Sequence, residues 1–421
     1  MKEKVYIIPS TFKEGSIIYS PLNKCAFWVN KEYAEAAQRY IQERDTVLDG
    51  YYDLKERIDS ILSRSSLEIG ERNFSAKNNV VLILSQRCNM LCEYCYANEA
   101  HSSEVMDKET LKASIDYIMA FDEKYKRISF IGGGEPILTW DLLQWAVEYA
   151  EIYAKKNNFI IEFSLTTNGT LLTAEKAKWL KKHGFRISVS FEILPDIQNK
   201  QRPLADKTKS SFLLVDEGIK NLLTNGIIPG FRSTVTEKNV EKMYEMVKFA
   251  IENYPKVKSL HFEHVSDISM NNNQYYEKFL DNFFKALMLA NEYGINLKNS
   301  ITHSTNYVRN CFCKGEFCVT PTGDVVSCHR VSSKRETKFN CFLYGNINDK
   351  FESIQSISNV LQKTLPFRDD CDICFAKVHC AGGCAYNRLL YSTEQLDSLC
   401  EFTKKMIVKN LEYKLFHLKV R

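Results

Sequence analysis

Residues Leu84–Asn98 read "LSQRCNMLCEYCYAN" and set three cysteines, Cys88, Cys92 and Cys95, at the spacing C-x3-C-x2-C. Three thiols on one short loop cannot pair off as disulfides without a remainder. They also fall one short of the four ligands that a closed zinc or iron–sulfur site takes. A loop of this kind leaves one coordination position open to something that is not protein.

Working outward, the rest of the chain narrows the setting. Its 421 residues suggest two or three domains. The composition, 44% hydrophobic and 26% charged, is that of a globular protein, and a net charge of +4 is too small to argue for nucleic-acid binding. No apolar run approaches the roughly 20 residues needed to span a bilayer. The start, "MKEKVYIIPSTFKEGS", lacks the pattern of a signal peptide, so a cytoplasmic location with reduced thiols is expected. In that setting 14 cysteines read as metal ligands or redox groups. Cys25 stands alone, three lie at 88–95, and the remaining ten lie between Cys311 and Cys400.

From "NVVLILS" (Asn79–Ser85) onward, short β-rich runs alternate with helical stretches. The runs are "RISFIGG" (Arg127–Gly133), "FIIEFSLTT" (Phe159–Thr167), "FRISVSFE" (Phe185–Glu192), "IIPGFRSTVT" (Ile227–Thr236) and "VKSLHFEHV" (Val257–Val265). Leu111, Ile115, Ile118 and Met119 mark one intervening helix by their steps of three and four. Another runs from a Thr173 N-cap to Gly184. Repeated β/α units predict a parallel sheet with its chemistry at the carboxyl ends of the strands. The cysteine loop falls at the first such end, "GGGEP" (Gly132–Pro136) at the second and "TTNG" (Thr166–Gly169) at the third.

Taken together, over about Asn79 to Ser300, these motifs resemble the radical S-adenosylmethionine superfamily, whose α/β fold is a partial (β/α)6 TIM-like barrel. The resemblance implies that Cys88, Cys92 and Cys95 bind three irons of a [4Fe–4S] cluster. The fourth iron would take the amino and carboxylate groups of S-adenosylmethionine, and one-electron cleavage would release a 5′-deoxyadenosyl radical. It also implies that Tyr94 packs near the adenine, that Gly133, Gly134 and Glu135 hold the methionine amino group, and that Thr167, Asn168 and Ser190 lie at the nucleoside. "VSFEILPDIQNKQRP" (Val189–Pro203) is similar to a common S-x-D-G … R stretch, matching at Arg202 but carrying Glu192 and Ile193 in place of Asp-Gly. Glu192 is either a site residue or a solvated surface glutamate.

"CFCKGEFCVTPTGDVVSC" (Cys311–Cys328) and "CDICFAKVHCAGGC" (Cys371–Cys384), followed by Cys400, resemble the cysteine-rich SPASM module of peptide and protein maturases. The resemblance assigns Cys371, Cys374, Cys380 and Cys400 to a distal auxiliary [4Fe–4S] cluster, and Cys313, Cys318, Cys328 and Cys384 to a nearer one. Cys311 and Cys341 are left over, and a zinc module is the other reading of the same cysteines.

The expected division is an N-terminal α+β region at 1–75, the barrel at 76–300 and the SPASM module at 301–421. The N-terminal runs "KVYIIP", "SIIYS" and "CAFWVN" resemble a recognition element that binds a precursor peptide through its leader, the other reading being a plain extension that packs on the barrel. The expected activity is oxidative modification of a ribosomally made precursor peptide, by thioether or carbon–carbon linkage, with an external flavodoxin- or ferredoxin-type electron donor. Formylglycine generation, as in anaerobic sulfatase maturases, is the alternative, but those carry an Asp directly after a ligand cysteine. Here His329 follows Cys328 and is either the candidate general base or a residue that bonds to a cluster sulfur. A non-catalytic metal-binding scaffold is the reading from another class.

Overall fold

The computed structural model describes residues 5–43, 50–63, 78–266, 272–309, 316–349 and 367–417; Cys311 and Cys313 lie outside them. The three N-terminal runs form strands β1 (Tyr6–Pro9), β2 (Ser16–Ser20) and β3 (Cys25–Val29), an antiparallel sheet in that order. Helices Lys31–Glu43 and Tyr52–Ser63 follow, and Ala36, Ala37, Leu54 and Ile58 close over Ile18 and Val29.

Each β-rich run of the middle region becomes a strand: β4 (Asn79–Leu82), β5 (Tyr125–Phe130), β6 (Ile160–Thr167), β7 (Arg186–Ser190), β8 (Gly230–Val235) and β9 (Ser259–His264). They pair in parallel, in chain order. Helices between them begin and end where the sequence provides caps. Thr173 accepts from the Lys176 N–H, and Gly184 closes that helix at φ +66°, a left-handed conformation that costs glycine nothing. Burial alternates along the strands. On β9, Leu260, Phe262 and His264 are buried, whereas Ser259, His261 and Glu263 are only half-buried. Parallel strands covered on both faces read as continuous apolar runs. The alternation here leaves one face of the sheet polar, with Ser164 donating to Ser129 across it at 2.8 Å.

Four short strands lengthen this sheet: β10 (Asn296–Lys298), β11 (Cys318–Val319), β12 (Asp324–Val326) and β13 (Leu343–Asn346). The order is β10-β9-β8-β7-β6-β5-β4-β11-β12-β13. β11 joins β4 in parallel, setting Cys318 opposite Val81, so part of the C-terminal cysteine-rich region continues the main sheet.

Packing groups the chain into two compact units, one of residues 73–298 with 313–365 and one of 1–72, 299–312 and 366–421. The second is tied by the helix Thr393–Phe416. Its buried Glu412 accepts from Ser10 Oγ at 2.8 Å, Thr11 N at 2.5 Å, Thr11 Oγ1 at 2.8 Å and Phe12 N at 3.2 Å. Among the described residues, no helix is long and apolar enough to cross a membrane.

Candidate active site

The cysteine loop leaves β4 and is stapled along its length. Leu91 N donates to Pro203 O at 2.8 Å, Glu93 N to Gln201 O at 3.0 Å, and Ala205 N to Asn89 O at 3.0 Å. Asn89 also donates to Thr170 Oγ1 and accepts from Asn168 Nδ2, at 2.9 and 2.8 Å, which ties the loop to the TTNG turn. Burial pushes the Cys88 thiol up to about 12 and raises those of Cys92 and Cys95; Cys88 also feels the charges of Cys92 and Cys95, and Cys95 that of Cys92. Bare, these thiols resist ionisation. A bound metal cation reverses that balance, since a coordinating thiol is deprotonated outright.

Against the loop lies the glycine turn after β5. Gly134 N donates to Ser85 O and Glu135 N to Arg87 O, both at 2.8 Å. A Cβ on Gly134 would stand 1.8 Å from Arg87 O, so no other residue fits; Gly132 and Gly133 adopt φ of +91° and +59°. The Glu135 carboxylate is buried and engaged on both oxygens: Oε1 accepts from Ile137 N at 3.1 Å and Thr167 Oγ1 at 2.6 Å, and Oε2 from Asn168 N at 2.7 Å. Burial raises its pKa against these bonds. Glu135, Thr167 and Asn168 are thus brought together as a brace that locks the ends of β5 and β6.

Half-buried Tyr94 and the buried Glu192 and Arg202 form a second group. The Tyr94 hydroxyl donates to Glu192 Oε1 and accepts from Arg202 NH1 at 3.0 Å. Glu192 also accepts from Thr234 N at 3.3 Å and Asn239 Nδ2 at 3.4 Å. It is fully buried, which decides between the two readings of its sequence against a solvated surface residue. Burial pushes its carboxyl up to about 7, opposed by the Arg202 charge. Desolvation works against the Arg202 guanidinium, but Cys92, Tyr94 and Glu192 hold it firmly protonated, and among the described residues its buried Nε meets no partner. Ile193, where the resembling motif carries glycine, keeps φ +67° despite its β-branched side chain. Ser190 ends β7 beside this group.

His329 stands at the glycine turn, its carbonyl oxygen 3.1 Å from where a Cβ on Gly132 would lie. Glu316 Oε2 accepts from its backbone N–H at 2.8 Å and meets Nδ1 at 2.7 Å, and the Tyr96 ring stands edge-on at 6.1 Å. Burial would raise the Glu316 carboxyl, but His329 outweighs it and the pKa falls below its ordinary value. No spacing rule points to Glu316, thirteen residues before its partner.

Of the remaining cysteines, Cys318 and Cys328 are near enough for the buried Cys318 thiol to feel the other's charge. In the other unit, the short helix Asp369–Ile373, the turn ending at Cys380 and the helix Thr393–Phe416 bring Cys371, Cys374, Cys380 and Cys400 into one another's electrostatic reach. Burial pushes Cys380 up to about 12. Cys384 belongs to that same unit. Among the described residues, no three His, Cys, Asp or Glu side chains are grouped to hold a single metal ion.

Comparison with known proteins agrees with this geometry. Residues 82–250 match the family described as the Radical SAM superfamily. An uncharacterised protein of Methanocaldococcus jannaschii is 30% identical over 274 residues, 65% of this chain and 89% of the relative. The radical SAM cyclopropyl synthase TigE of Paramaledivibacter caminithermalis is 22% identical over 97% of this chain and 89% of its own. Among solved structures, anSMEcpe with bound AdoMet and the Cp18Cys peptide superposes with a TM-score of 0.66 at 21% identity, covering 80% of this chain and 98% of the other. The chain belongs to the radical S-adenosylmethionine superfamily.

Proposed function

We propose that this enzyme oxidatively modifies a ribosomally made precursor peptide, closing a thioether or carbon–carbon link. The observation that carries the reading is the convergence of the three-thiol loop, the glycine turn and the Tyr94–Glu192–Arg202 group at the carboxyl ends of parallel strands. Similarity over nearly the whole chain to a cyclopropyl synthase, and a solved fold relative that holds a peptide, support the substrate class.

The residues fit the family's cofactors. Cys88, Cys92 and Cys95 would hold three irons of a [4Fe–4S] cluster. Gly133, Gly134, Tyr94, Ser190 and Arg202 would hold S-adenosylmethionine, and the unpartnered Nε of Arg202 suits its carboxylate. When bound, this pair supplies reductive carbon–sulfur cleavage and with it the power to abstract a hydrogen atom. The glycine turn admits the ligand against main chain, and the Glu135 brace keeps that turn in place. Glu316 holds Nδ1 of His329, which leaves Nε2 to take a proton from the substrate. A substrate that loses a hydrogen atom and a proton has one electron left to pass on. Cys371, Cys374, Cys380 and Cys400 would hold an auxiliary acceptor, with Cys318 and Cys328 as ligands toward another. A flavodoxin- or ferredoxin-type protein is the external reductant. The β1-β2-β3 sheet has β1 and β3 as its edges, to which a leader strand would add.

The test is anaerobic purification, reduction in the presence of S-adenosylmethionine, and mass analysis of a peptide encoded beside the gene. Release of 5′-deoxyadenosine, with a product lighter by two hydrogens per link, is expected. Release without any change in such a peptide would leave the family intact and end the maturase reading.

A further inference from the structure

Beyond the cofactor groups, the polar face of the sheet carries one more ordered set of side chains. Ser190 on β7, Arg232 on β8, His261 on β9 and Lys298 on β10 occupy one register level, each paired with the next. In parallel pairing such residues share a face. Arg232 therefore stands beside the candidate nucleoside residue Ser190, on the side away from β6.

Two hydrogen bonds run back from Arg232 along β9. His261 Nε2 meets Glu263 Oε2 at 2.6 Å, and its Nδ1 faces Arg232 NH1 at 3.4 Å. Glu263 is held ionised, because its bonds to His261 and His264 outweigh burial and keep its carboxyl well below the usual range. A carboxylate accepts only, so His261 donates through Nε2 and presents Nδ1 as an acceptor to Arg232. The imidazole thus separates guanidinium from carboxylate. The Arg232 side chain is exposed, and among the described residues it makes no ion pair with an acid. An arginine has five N–H donors in a planar fork, and this arrangement uses one.

That fork shares its register level with Ser190, at the carboxyl end of β7. The phenol of Tyr96, the residue after Cys95, feels the charges of both Arg330 and Arg232. Arg330 lies 5.7 Å over the Tyr96 ring, whose edge meets His329. Glu316 is engaged by His329 and Glu263 by His261. Tyr96 thus lies in the field of two guanidinium groups.

We propose that Arg232 is the anchor for a carboxylate of the substrate, so that the peptide carries an Asp or Glu side chain next to the residue that is modified. This rests on the peptide-modifying reading and names its substrate class. A bidentate arginine–carboxylate pair brings orientation as well as attraction, and orientation is what a site for hydrogen abstraction requires. A neutral peptide would leave the fork facing water with no gain in position.

The experiment is selection from an mRNA-displayed library of random dodecapeptides on the holoenzyme with S-adenosylmethionine bound. Wild type, Arg232→Gln, Arg232→Glu and the surface control Lys182→Glu are run in parallel. Wild type should enrich Asp and Glu about threefold at one position, on the order expected for a single directed charge pair. Arg232→Gln should abolish that enrichment, Arg232→Glu should replace it with Lys or Arg, and Lys182→Glu should leave it intact. A wild-type pool without an acidic position overturns the assignment, as does an acidic position that survives in Arg232→Glu or disappears equally in Lys182→Glu. Arg232→Lys guards against a folding defect, because it should retain an acidic preference with reduced enrichment. Release of 5′-deoxyadenosine from the same wild-type preparation reports on the family chemistry, so its loss is distinguishable from loss of acid selection.

Discussion

The two thiol sets that the structure gathers differ in how they are built. Cys88, Cys92 and Cys95 lie on one loop, and the tertiary structure mainly surrounds them with the glycine turn, Glu135 and the Tyr94–Glu192–Arg202 group. Cys371, Cys374, Cys380 and Cys400 come from two short helical turns and a long helix, and they meet only when these pack. The first set is local and heavily braced by buried charge; the second is assembled. A set with three thiols leaves room for a small molecule, whereas a set with four can close on its own. Under the proposed function, the first would be the centre for cofactor cleavage and the second would hold an electron.

The sharpest way to break this contrast is to remove one thiol from each set. Cys92→Ala should abolish both 5′-deoxyadenosine release and peptide modification. Cys374→Ala should cut product formation while sparing part of the cofactor cleavage. Equal loss in both assays for the two variants would erase the distinction. Next in size is Arg202→Leu, which leaves Glu192 buried without its countercharge. Breaking a buried pair in this way costs about 3–5 kcal/mol, to be read by denaturant unfolding, with S-adenosylmethionine binding lost as well. Gly134→Ala forces the Arg87 carbonyl away and should cost about 1–3 kcal/mol, with a rise in the S-adenosylmethionine dissociation constant measured by calorimetry. The smallest effect belongs to the other unit. Glu412→Gln loses part of the charge-assisted bonding to residues 10–12, about 1–2 kcal/mol, and should leave S-adenosylmethionine affinity unchanged. A coupled loss of affinity would overturn that expectation.

Local chemistry was readable before the structure because it depends on neighbours in the chain. The cysteine loop, the glycine turn, the TTNG turn, the Thr173 cap and the strand runs all follow from spacing and conformational preference. Glu192 was not readable, since a glutamate two residues past a strand end looks the same whether solvated or buried; only the approach of Tyr94 and Arg202 decides it. Glu316 was missed for a related reason, as its contact with His329 depends on how β11 and β12 turn back. The run Val257–Val265 was legible as a strand, but the link of His261 and Glu263 to Arg232 required strand register.

By itself the sequence determined the open-position thiol loop, the order of motifs at strand ends and the parallel sheet, because each is a short-range consequence of residue type and period. Tertiary structure alone decided that β11–β13 continue the main sheet, that residues 5–43 and 50–63 pack with 367–417, and that buried Glu192 and Arg202 face each other through Tyr94. Those outcomes arise from pairing between distant segments, where burial and charge balance select one arrangement among many with equally plausible local structure.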